Sequence, residues 1–113
     1  IAGLVVTGPG PRTYLIRGAG PTLANLGVLN ALDDPFLQIY RGETLLREND
    51  DWDTPASAQA ALSDAAKKTG AFPLQVRRDS AILITLQPGT YTAKLSGFEG
   101  STGVGLVEIY ELP

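Results

Sequence analysis

The chain has 113 residues, 43% hydrophobic and 19% charged, with a formal net charge of −3. That is enough for one domain with its own core and too apolar for disorder. Its only tight basic pairs, Lys67-Lys68 and Arg77-Arg78, argue against nucleic acid, whose affinity rests on phosphate neutralisation.

Ile1 to Thr7 is dense in aliphatic and β-branched residues and reads as a strand. Gly8-Pro9-Gly10-Pro11 breaks it. Arg12 to Arg17 resumes as a second strand, so a hairpin with the first is predicted. Thr22 to Leu32, with Gly27 and two Asn, reads as a long loop with one helical turn. Phe36–Tyr40 and Glu43–Arg47 flank Arg41-Gly42 and predict a β-hairpin, which runs into Asn49, Asp50, Asp51, Trp52 and Asp53.

A helix is expected next, with Thr54 as N-cap, Pro55 as first helical residue and Gly70 as stop. Within it Ala58, Ala61, Leu62, Ala65 and Ala66 fall roughly on one face, and Lys67 and Lys68 suit the negative end of the helix dipole. Ala81–Leu86 is a strand, and Gln87-Pro88-Gly89-Thr90 has the residues of a type II turn. Tyr91 to Ser96 alternates, with Tyr91, Ala93 and Leu95 on one side. Val104 to Leu112 is the last strand. Seven short strands, Gly/Pro turns and one alanine-rich helix predict a mainly β, antiparallel sandwich, one domain over residues 1–113. The chain opens on Ile1 inside a strand-like run, so it is expected to be a piece excised or processed from a longer secreted protein.

Three stretches carry a family resemblance: D-P-F-L-Q-I-Y at Asp34–Tyr40, E-N-D-D-W at Glu48–Trp52, and L-Q-P-G-T-Y-T-A-K-L-S-G at Leu86–Gly97. Together they resemble the bacterial pre-peptidase C-terminal-like domains. The stretch L-I-R-G-A-G-P-T-L at Leu15–Leu23 is similar to repeat modules of secreted Verrucomicrobia-type proteins. The resemblance implies a jelly-roll-like sandwich appended to a secreted or cell-surface protein, serving folding, secretion or substrate attachment.

With no Cys and no His, the usual zinc, copper and iron ligand sets cannot be assembled. A metal would be a hard, oxygen-bound cation such as calcium. Asn49, Asp50, Asp51 and Asp53 supply four oxygen-bearing side chains, and Asp33 and Asp34 stand across the hairpin as further candidates. The spacing is not an EF-hand, and turn and helix-start chemistry accounts for the same residues without an ion. Trp52 is a candidate sugar-stacking platform, or else a plug at the helix start. Serine and cysteine triads lack their usual base or nucleophile, no phosphate loop is present, and adjacent acids in a turn are commonplace, so no enzyme is expected. No apolar run approaches the ~20 residues of a membrane helix.

The expected function is thus a non-catalytic accessory module at the cell surface or outside the cell. Its expected partner is polysaccharide or another extracellular polymer, met by Trp52. The alternative is a structural repeat or self-assembling surface subunit with no small ligand, in which the terminal Leu4-Val5-Val6 strand adds to a neighbour.

Overall fold

The computed structural model describes residues Ile1–Pro113. Its seven strands are β1 (Ala2–Val6), β2 (Arg12–Ala19), β3 (Pro35–Arg41), β4 (Thr44–Asn49), β5 (Ser80–Leu86), β6 (Gly89–Gly97) and β7 (Leu106–Glu111). Helices α1 (Pro21–Asn25) and α2 (Ala56–Thr69) and a 3₁₀ turn at Phe98–Gly100 complete it. The strands form two antiparallel sheets, a four-stranded one in the order β1-β6-β3-β4 and a three-stranded one in the order β5-β2-β7.

The core lies between the sheets. Val6, Leu37, Ile39, Tyr91 and Ala93 of the first meet Tyr14, Ile16, Ile82, Ile84 and Leu86 of the second. Strand alternation explains which residues these are: Tyr14 and Ile16 face the opposite sheet while Leu15 and Arg17 face outward, beneath α2. A second cluster of Leu15, Leu62, Ala65 and Ala81 joins that outer face to the helix. Alanine suits this position, because a short side chain lets helix and sheet approach closely. The layers therefore run helix, three-stranded sheet, four-stranded sheet.

Four local expectations are corrected by the structure. β1 and β2 do not form a hairpin: β1 pairs with β6, and β2 lies between β5 and β7. β2 is buried on both faces from Tyr14 onward and takes the covered centre of a sheet, whereas β1 has one buried face and becomes an edge. Gly89 does not adopt the positive φ of a type II turn; it starts β6 opposite Val6, because β5 and β6 belong to different sheets. The N-cap of α2 is Pro55, with no side-chain capping bond, and the Thr54 hydroxyl turns to Asp53 at 3.4 Å. Ala61 is exposed, so the buried helix stripe is narrower than the alanine pattern suggests.

The other end of α2 is as expected. Gly70 is left-handed at φ 76°, and its N–H returns to the carbonyls of the last turn. The loop after β2 contains the one short helix, α1, followed by irregular chain. Gly20, its N-cap, has no room for a side chain, since a Cβ there would collide with the Leu32 carbonyl.

Candidate functional site

Strand register determines which acids meet. In the β3–β4 hairpin Leu37 pairs with Asn49, so the chain entering β3 lies beside the chain leaving β4. Asp34 just before β3 therefore approaches Asp50 just after β4. Asp51 joins them, and one carboxylate oxygen from each of the three lies within 4.8 Å of the others. All three are half-buried at one end of the four-stranded sheet.

The surrounding bonds hold the backbone and leave carboxylates over. Ser80 Oγ sits 2.6 Å from the Pro35 carbonyl and 3.0 Å from that of Asp50, tying both strand ends to β5. Phe98 N–H donates to the Asp34 carbonyl at 2.7 Å. Trp52 N–H donates to the Asp79 carbonyl at 2.8 Å. With these carbonyls engaged, Oδ1 of Asp34 and Oδ1 of Asp50 are still buried without a donor. Two carboxylates facing each other have only acceptors to offer, so a shared proton or a cation is needed between them.

The electrostatics agree. Asp50 is pushed up to about 6, first by burial and then by hydrogen bonding and repulsion from Asp34, with further repulsion from Asp51 and Glu99. Glu99 reaches this neighbourhood from the 3₁₀ turn, in a left-handed conformation at φ 53°. Asp50 and Asp51 open onto a recess of about 340 Å³ that Phe36, Phe98, Glu48 and Thr54 also line. Phe36 and Phe98 meet edge to face at 5.7 Å and form its apolar wall.

Of the four side chains singled out for a metal, Asp50 and Asp51 are in this cluster. Asn49 organises the loop: its Nδ2 donates to the Asp51 carbonyl at 3.0 Å, and its Oδ1 accepts from Ala81 N–H at 3.2 Å. Asp53 turns to Arg77, with Nε at 3.6 Å from Oδ1, and Arg77 also stands 3.9 Å from Asp51. Asp33 pairs with Arg78 at 3.0 Å. Trp52 lies elsewhere: half-buried, it packs against the cluster between α2 and the three-stranded sheet.

Glu99 and the Phe36–Phe98 wall had no signal in the sequence, since they come from turns distant along the chain. Asp34 was within reach of the hairpin reading, because the chain entering β3 lies beside the chain leaving β4, where Asp50 and Asp51 follow.

Replacing Asp50 by Asn removes one charge from the cluster and supplies an amide that can donate to Asp34. At pH 7 without metal this should raise the melting temperature by roughly 2–5 °C, the effect of about 1 kcal/mol of relieved repulsion in a domain this size. A lower melting temperature by calorimetry would mean that the acids do not repel one another.

No family model matches the chain, and comparison with curated proteins and with solved structures finds no match either.

Proposed function

We propose that this chain is a non-catalytic accessory module of a secreted or cell-surface protein, jelly-roll-like in topology, that binds calcium at Asp34, Asp50 and Asp51 and attaches to an extracellular polymer such as polysaccharide. The observation that carries this reading is the pair of buried, donor-less carboxylate oxygens on Asp34 and Asp50, with a third acid beside them and an open recess that Asp50 and Asp51 line. Calcium takes roughly six to eight oxygens, so three aspartates leave coordination positions for water or for ligand hydroxyls. Phe36 and Phe98 offer an apolar surface next to those positions, the pairing of apolar face and polar edge that a sugar ring requires.

Calcium and the proton compete for the same oxygens. Because Asp50 holds its proton up to about pH 6, against an ordinary value of 3.8, its ionisation costs the folded state stability as pH rises through that range. Without metal, this group's contribution to stability is thus greatest below pH 4 and lost above about pH 6. With metal the sign reverses, and calcium affinity should rise as pH passes through 6.

Calorimetric titration at pH 5 and pH 7, with and without chelator, tests this. A dissociation constant on the order of 0.1–1 mM is expected at pH 7, the range of extracellular calcium modules, with weaker binding at pH 5. Saturating calcium should then add about 1.5–2.5 kcal/mol of stability. No heat and no melting shift with 10 mM calcium (about ten or more times that constant) would remove the ion from the proposal. Retardation in gels containing soluble xylan, laminarin or starch, with calcium but not with chelator, tests the polymer.

A second reading, a self-assembling repeat or surface subunit, is favoured by the sheet edges. Edge strand β4 is exposed along most of its length, including Leu45 and Leu46, and Val5 of edge strand β1 is 64% exposed. Concentration-dependent sedimentation without any polymer affinity would select it.

A further inference from the structure

A second recess, of about 340 Å³, lies between α2 and the outer face of the three-stranded sheet. Its walls are apolar: Leu15 and Ala81 from the sheet, Leu62 and Ala66 from the helix, Leu74 from the following loop, and the ring of Trp52. The alanines that let α2 approach the sheet also leave this space unfilled.

Three polar side chains reach the recess, and they differ in what they have left to bind. Arg17 is fully engaged, with Nε and Nη2 on Glu108 and Nη1 on the Phe72 carbonyl. Ser63 is half-buried on the helix. Lys67 is exposed and pairs with no carboxylate, while the adjacent Lys68 is held by Asp64 at 3.0 Å. The indole N–H of Trp52 is buried with no acceptor in the protein. An apolar space with an unpaired ammonium at its rim lacks one kind of group, an anionic acceptor.

We propose that this recess binds a small amphipathic carboxylate, its apolar body against Leu15, Leu62, Leu74 and the Trp52 ring and its carboxylate received by Lys67 at the rim. At roughly 30 Å³ per non-hydrogen atom, the volume holds a body of about ten such atoms. The site is separate from the Asp34–Asp50–Asp51 cluster and does not depend on calcium.

Trp52 is the only tryptophan, so its emission reports on the recess directly. Octanoate titrated into the intact chain should change that emission saturably at submillimolar to millimolar concentration. Octanol, of similar size without the charge, should bind at least fivefold more weakly. Lys67→Gln should weaken octanoate by a similar factor, and Ala66→Leu, which fills the space, should abolish the response. If Ala66→Leu unfolds the protein, Ser63→Leu at the same wall serves instead, with circular dichroism confirming the fold. No saturable change with 10 mM octanoate, a response that survives filling of the recess, or equal affinity for octanol and octanoate would each overturn the proposal.

Discussion

Replacing Asp79 by alanine should destabilise the protein by about 3–5 kcal/mol, the cost of emptying a buried, fully hydrogen-bonded charged position. Asp79 is 0% exposed, and its carboxylate accepts from Gly20 N–H at 2.7 Å, from Thr22 N–H at 3.2 Å and from the Thr22 hydroxyl. Alanine would leave those donors in the interior without acceptors. They sit at the start of α1, where Gly20 is already pressed against the Leu32 carbonyl and the chain cannot move away to find water. Thr22 Oγ1 in turn accepts from Gln75 N–H, so the loss extends into the chain between α2 and β5.

In urea the midpoint should fall by roughly 2 M, taking a slope of about 2 kcal/mol per molar. Asp79→Asn keeps the shape but turns an amide donor toward other donors, and should lose about half as much. A midpoint within 0.5 M of the parent would show that the loop satisfies itself in some other way.

Arg17→Ala should be comparably severe, at about 3–5 kcal/mol. The guanidinium is 1% exposed, lies 2.9 Å from Glu108, donates to the Phe72 carbonyl at 2.6 Å and stacks 4.4 Å above the Phe72 ring. Truncation would strand the Glu108 carboxylate between β7 and the helix layer. Tyr110 also donates its hydroxyl to Glu108, and its own ionisation is pushed up by burial and then by that bond. One arginine thus holds β7, the loop after α2 and the outer face of the sheet together.

The size of the effect comes from the carboxylate left unpaired rather than from the ion pair itself. The double replacement Arg17→Met with Glu108→Leu should therefore recover most of the loss. Denaturant curves for the two single variants and the double variant measure the coupling. If the double variant is as unstable as the sum of the singles, the pair is not what holds these elements.

Much of the architecture was legible in local pattern. The clean alternation of Tyr91, Ala93 and Leu95 matches the inward face of β6, and Gly70 ends α2 through a backbone conformation that other residues reach at a cost. Two sheets of β-strands and one main helix follow from such signals. Partner choice among strands does not. Gly8–Pro11 and Gln87–Thr90 look like hairpin turns, yet each carries the chain from one sheet to the other. A turn sequence specifies a change of direction, whereas the partner depends on which strands have apolar residues to bury on both faces.

The site divides along the same line. Asp50 and Asp51 stood out as a cluster of oxygen ligands, and residue type with loop position was enough to nominate them. Asn49 and Asp53 looked equivalent in sequence and are not in space, because Ala81 N–H and Arg77 take them for other work. Asp79, in Arg77-Arg78-Asp79, carried no signal at all, since a buried acid is recognised only by the distant N–H groups that surround it. By itself the sequence determined the secondary elements, the exclusion of soft metals and the acidic loop, all of which depend on residue chemistry and short-range periodicity. Only the tertiary structure decided that Asp34 and not Asp33 completes the cluster, that Phe36 and Phe98 wall it, and that Trp52 borders a separate recess under α2. Those outcomes depend on register and packing between segments far apart in the chain, and no local pattern encodes them.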